Sequence, residues 1–254
     1  MTPTTAASGP MPPEIVYPSS DGKPMAESYQ QARWITLLYG NLCALFRDRD
    51  DVVVAADNFW YPVEGEPQTV FAPDVYVVFG RPKHDRGSYM QWKEGDVPLT
   101  VVFEILSQAN TTQEMVKKFD FYDHHGVEEY YVYDPDRNKL DIYTRGQATL
   151  RRHRDIAKFV SPRLGIRVEM TKPEMTVYGP DGEPFRPFEE QKQIAEEARG
   201  EATEARRQRA DEAKRADNAT RRADRLAKLG RKARRGQATP DEVAELERLE
   251  DESL

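Results

Sequence analysis

Apolar residues first recur at helical spacing between Met25 and Phe46, where Trp34, Leu37, Leu38 and Leu42 form one stripe. A stripe of that kind predicts a helix laid across a sheet. Three shorter runs follow, Val52 to Ala56, Asp74 to Phe79 and Leu99 to Leu106, and the last two are rich in the Val, Phe and Tyr that pleated surfaces favour. The unbroken apolar character of Leu99-Thr100-Val101-Val102-Phe103 marks a central strand covered on both faces. Between the second and third strands, Gly80 to Asp96 is polar and carries Arg81, Lys83, His84, Asp85, Arg86 and Gly87. Loops of such length in compact domains are either functional or disordered.

Thr111 and Glu114 have the spacing of a capping box and open a second helix, which Gly126 is suited to close. Glu129 to Tyr133 predicts a strand, Asp134-Pro135-Asp136-Arg137-Asn138 a turn, and Leu140 to Tyr143 its continuation, with further short strands at Phe159-Val160 and Ile166 to Met170. The order describes a mixed α/β sandwich with an antiparallel fringe. Residues 1–24, rich in Pro, Thr, Ser and Ala, read as a flexible leader, 25–172 as the domain, and 173–187 as a linker with a hairpin at Tyr178 to Gly182. Residues 188–254 form a charged helical tail, with alanine stripes at 195, 198, 202 and 205 and at 216, 219, 223 and 227. Alanine is a weak coiled-coil knob, so a solvated helix is favoured over a coiled-coil homodimer. Thr239-Pro240-Asp241-Glu242 starts a last short helix.

With 38% apolar and 32% charged residues, the chain supports one sizeable core. The single cysteine, Cys43, falls in the apolar pattern of the first helix and reads as a buried structural thiol, which fits a reducing, cytoplasmic setting. The leader lacks a basic start and an apolar core, and no run of 18 apolar residues occurs, so neither a signal peptide nor a membrane span is expected. A formal charge of -7 argues against coating nucleic acid by bulk attraction. Locally, Arg145, Arg151, Arg152, Arg154, Lys158, Arg163 and Arg167 are opposed only by Asp155 between positions 145 and 167. That section reads equally as a phosphate-contacting face or as an edge strand guarded by charge.

The candidate chemistry lies between Phe71 and Lys118. Met115, Phe119 and Tyr122 stand at spacings of four and three on the second helix, and Lys118 shares their face. An ammonium among apolar side chains needs anionic company, and Glu104, flanked by Val101, Val102, Phe103, Ile105 and Leu106, is the obvious candidate. Lys117 points elsewhere, as an ordinary solvated lysine. Asp74, after Pro73, is weaker evidence alone, because Pro-Asp commonly starts a turn. Two carboxylates from neighbouring strands with an amine beside them can hold a hard divalent cation and a water, which suits phosphodiester hydrolysis.

Pro73-Asp74, Phe103-Glu104-Ile105-Leu106-Ser107, Lys118 with Tyr122, Gly126-Val127, Glu129-Tyr130-Tyr131 and Asp134-Pro135 resemble the Uma-type restriction endonucleases of bacteria, a branch of the PD-(D/E)XK nuclease superfamily. The resemblance spans roughly Tyr17 to Met170 and extends to the charged tail. It implies a restriction-endonuclease-like sheet flanked by helices, Asp74 and Glu104 as ligands of Mg²⁺ or Mn²⁺, Lys118 as the active-site lysine, and DNA as substrate. Ser107 and Glu114 are supporting candidates, and Arg86, Arg151, Arg152 and Arg154 are candidate contacts to the nucleic acid. Leu106 stands where the superfamily motif has its lysine, which agrees with placing that role on Lys118. Glu114 replaces a frequent Asp and keeps an acid in the first helical turn. Tyr131 replaces a frequent Trp. The competing reading is a catalytically silent nuclease-fold protein that binds nucleic acid or recruits partners through its C-terminal helix; a structural coiled-coil protein is a third.

Overall fold

The computed structural model describes residues 15–19, 28–157 and 159–251. Most of the expected leader and Lys158 lie outside the described residues. The chain divides into two compact units, Met1–Phe188 and Glu189–Leu254.

The first unit opens with α1 (Tyr29–Leu45), capped by Ser28, whose hydroxyl accepts from the Gln31 N–H at 3.1 Å. Then come β1 (Val52–Ala56), β2 (Trp60–Tyr61), β3 (Val75–Phe79), β4 (Tyr89–Met90), a 3₁₀ turn (Gln91–Glu94) and β5 (Val101–Ile105). After them follow α2 (Thr112–His124), β6 (Glu129–Asp134), β7 (Lys139–Arg145), β8 (Leu150–Arg152), β9 (Arg167–Glu169) and β10 (Thr176–Tyr178). Six strands form one sheet in the order β1-β3-β5-β6-β7-β8. Only the β5–β6 pair in it is parallel, as the intervening α2 requires, and the others are antiparallel.

Both faces of the central strands are covered, which explains their unbroken apolar sequence. Trp34, Ile35, Leu38 and Leu42 of α1 pack on one face with Val75, Val101, Phe103 and Tyr131. Tyr122 of α2 packs on the other with Tyr76, Val102 and Tyr130. Thr111 caps α2, accepting from the Glu114 N–H at 3.2 Å, and Gly126 at φ 90° turns the chain out of it. Arg145 of β7 satisfies the far end of that helix: its guanidinium donates to the carbonyls of Asp123 at 2.7 Å and Val127 at 2.8 Å.

Several short elements depart from the sequence expectation. The loop from Gly80 to Asp96 is ordered, with β4 pairing β2 in parallel and Glu94 gripped by Arg86. Phe159-Val160 supplies only an isolated bridge, Val160 to Arg167. Cys43 is half-buried rather than buried. Among the described residues, no helix is long and apolar enough to cross a membrane.

The second unit holds nearly all of the long helix α3 (Phe188–Arg234) and α4 (Pro240–Asp251). Thr239 and Glu242 form a reciprocal capping box at the start of α4. The two helices make a hairpin through Arg225–Glu245 and Lys232–Glu242 ion pairs and the buried Leu229.

Candidate active site

The β3–β5 ladder pairs Val75 with Phe103 and Tyr76 with Val102, so continuing its register sets Asp74 opposite Glu104 on the face that α2 covers. Pro73 lacks an N–H, and regular pairing stops at Val75. Beyond that rung the Asp74 carboxylate accepts the Ile105 N–H at 2.6 Å, so a side chain takes up a donor that the ladder leaves. The turn is fastened from behind by Asp57, whose N–H donates to the Pro73 carbonyl at 3.1 Å.

Glu104 lies in the centre of the sheet and is 2% exposed. Burial of a charge there is sustained by two donors from one helix face: Lys118 Nζ at 2.7 Å from Oε2 and the Tyr122 hydroxyl at 2.6 Å from Oε1. The spacing of four between Lys118 and Tyr122 makes both reach the same carboxylate. Lys117, one residue away, is exposed.

Asp74 keeps part of its surface accessible, yet protein crowds its carboxyl on most sides. Desolvation, followed by the neighbouring Glu104 charge, pushes its pKa up to about 8, against the opposing pull of Lys118, the Ile105 N–H and a hydrogen bond with Gln31. Burial draws Lys118 down, but the charges of Glu104 and Asp74 outweigh it and leave the amine raised, hence protonated. Gln31 also donates to the Ile105 carbonyl at 2.9 Å, so one amide from α1 holds both the backbone and the acid. Nothing in the sequence pattern marks this residue, because a glutamine in the first turn of an amphipathic helix reads as solvated. Tyr130 shares the Glu104 face; its hydroxyl is buried and has no hydrogen-bond partner among the described residues.

The other expected residues lie further out. Ser107 and Asn110 close the loop after β5, the Ser107 N–H donating to Asn110 Oδ1 at 2.8 Å. Glu114 accepts from Asn110 Nδ2 at 3.4 Å and adds to the raising field on Lys118. Arg86 is turned inward, bound to Glu94 at 2.7 and 3.1 Å and to the Pro82 and His84 carbonyls. Arg151, Arg152 and Arg154 are exposed at the β8 edge, with Arg152 ion-paired to Asp141. β8 stands three strand spacings from Glu104, roughly 14 Å.

Fold and site together define a mixed α/β domain with a sheet-borne acid, acid, lysine centre. The profile of the Uma2 family, described as "putative restriction endonuclease", matches residues 14–177, and the chain belongs to that family. Among solved structures, a "putative nuclease belonging to DUF820" from Anabaena variabilis ATCC 29413 is similar at 15% identity and a TM-score of 0.41, over 56% of this chain and 79% of its own. No curated protein matches the chain.

Proposed function

We propose that the protein is a metal-dependent endonuclease that hydrolyses DNA phosphodiester bonds at Asp74, Glu104 and Lys118. The supporting observation is their convergence: two acids opposite each other across β3 and β5, with a helix-borne amine held on the inner one. The donor set fits a hard cation such as Mg²⁺ or Mn²⁺, since both candidate ligands are carboxylates. Among the described residues no group of three or more His, Cys, Asp or Glu that could hold a metal ion occurs, so Asp74 and Glu104 are the two candidate protein ligands. When bound, the cation supplies an acidified water and neutralises charge on the phosphate.

The chain's own residues supply the rest. Glu104 is held rigid by its two donors, so its orientation requires no reorganisation. Lys118 brings a fixed positive charge to the place where negative charge accumulates on the phosphoryl oxygens. Asp74 is the more accessible of the two acids and accepts or releases a proton as the site loads.

The test is a cleavage assay with the full-length protein in Mg²⁺ or Mn²⁺ at low salt, on supercoiled, linear and branched DNA. Wild type is expected to cut, and Asp74→Asn, Glu104→Gln and Lys118→Ala to lose at least a hundredfold in rate. Intact DNA throughout, with binding retained, would instead assign the silent, nucleic-acid-binding role.

A further inference from the structure

Two tyrosines share the α2-covered face with the Glu104 carboxylate, and one of them is bonded to it. The Tyr122 hydroxyl donates to Oε1 at 2.6 Å. Tyr130, on the neighbouring strand, is the rung partner of Val102, and Glu104 stands two residues further along on the same side. The two residues are therefore diagonal neighbours across β5 and β6, with backbones roughly 8 Å apart, a gap that long side chains close. The Tyr130 ring is fixed on two sides, edge-on to Tyr122 with centroids 5.1 Å apart and stacked on Tyr143 at 5.7 Å. Tyr130 is buried, and its hydroxyl has no hydrogen-bond partner among the described residues. Native structures rarely carry the cost of such a group, and one beside a candidate active site points to a partner from outside the chain. Burial first, then the charges of Glu104, Tyr143 and Asp74, push the hydroxyl well above its ordinary pKa, so it keeps its proton.

We propose that Tyr130 is a positioning residue for the cation, its hydroxyl forming a hydrogen bond with a water of the ion's shell beside Glu104. The inference rests on the cation-binding part of the function proposed above. With two carboxylates as protein ligands, Mg²⁺ or Mn²⁺ fills most of its octahedral shell with water, and a water in a protein interior needs polar partners. The other polar groups of the centre are engaged: Lys118 and Tyr122 on Glu104, and Asp74 on the Ile105 N–H. Tyr130 is the buried side chain left with a hydrogen bond to give there, and groups that orient a metal's ligands in this way tune its affinity. A tyrosine kept for packing alone would be equalled by phenylalanine, with the cation or without it.

Calorimetric titration of the full chain with Mn²⁺ in the absence of DNA tests the assignment, paired with thermal unfolding in a chelator. Tyr130→Phe keeps the ring and removes only the hydroxyl. It is expected to weaken Mn²⁺ binding about tenfold and to leave the metal-free unfolding midpoint unchanged or raised, since no bond is lost in that state. Tyr122→Phe supplies the contrast: it takes a donor from buried Glu104, so its metal-free midpoint is expected to fall. A wild type that binds Mn²⁺ and cuts no DNA removes the nuclease reading and leaves the role of Tyr130 standing if the tenfold difference is found. Equal Mn²⁺ affinity in wild type and Tyr130→Phe, a metal-free midpoint lowered as far by Tyr130→Phe as by Tyr122→Phe, or a wild type that takes up no Mn²⁺ overturns the inference.

Discussion

Asp74 holds its proton late because it is crowded and faces a second acid. Its folded pKa of about 8 lies above the ordinary 3.8, so the protonated form is the one that folding favours. Its contribution is therefore fully present below about pH 4 and is lost as pH rises through about 8, by at most roughly 1.4 kcal/mol per pH unit. Urea unfolding in a chelator at pH 5 and pH 8 checks this: wild type should lose stability at the higher pH, and Asp74→Asn should lose much less. Equal losses would refute the assignment. Removal of Lys118 leaves Glu104 buried without its counter-charge, so Lys118→Ala should cost about 3–5 kcal/mol in equilibrium unfolding, beyond its effect on rate. The Glu104–Lys118 pair was legible in the sequence, since an acid in an apolar strand and an amine on an apolar helix face each demand a partner. Gln31 was not, because an amide carries no charge whose burial would require explanation. Arg86 in a polar loop reads as a surface cation, and only the fold reveals Glu94 beneath it.

At the scale of elements, long periodic segments were read well and short ones were not. β1 begins and ends as the apolar run does, and α2 runs between the cap and the glycine that its sequence shows. β2, β4, β8 and β10 are two or three residues each, too few for alternation to register, and they exist because neighbouring strands offer partners. α2 illustrates how local chemistry serves the site. Gly126 at φ 90° ends the helix against Pro98, where an added Cβ would lie 3.5 Å from the proline Cγ. Gly126→Ala should therefore destabilise the domain chiefly through backbone strain, by about 1–2 kcal/mol, read as a lowered midpoint in thermal unfolding. An unchanged midpoint would mean that the turn relaxes freely.

For the molecule as a whole, net acidity and a basic strip coexist because the strip is confined to one end of the sheet. Sequence counting overstated that strip: Arg145 is committed to the end of α2, Arg163 pairs with Glu128 and Arg167 with Glu169, leaving, among the described residues, Arg151 and Arg154 freely exposed beside the paired Arg152. Substituting these last three by alanine should weaken DNA binding evenly across sequences and flatten its salt dependence by about one unit in the log–log slope per contact removed. An unchanged slope would exclude β8 from the contact. The tail's helicity was plain from composition, whereas its hairpin with α4 depends on ion pairs between residues 20 and 10 positions apart, beyond any local pattern. The commitment of Arg145 reaches further than the strip. A helix fastened by Thr111 at one end and by that guanidinium at the other delivers its lysine on a lever with no loose pivot. Turnover should then draw little on conformational ordering, and loosening the remote anchor with Arg145→Met should slow the reaction while substrate affinity stays nearly constant.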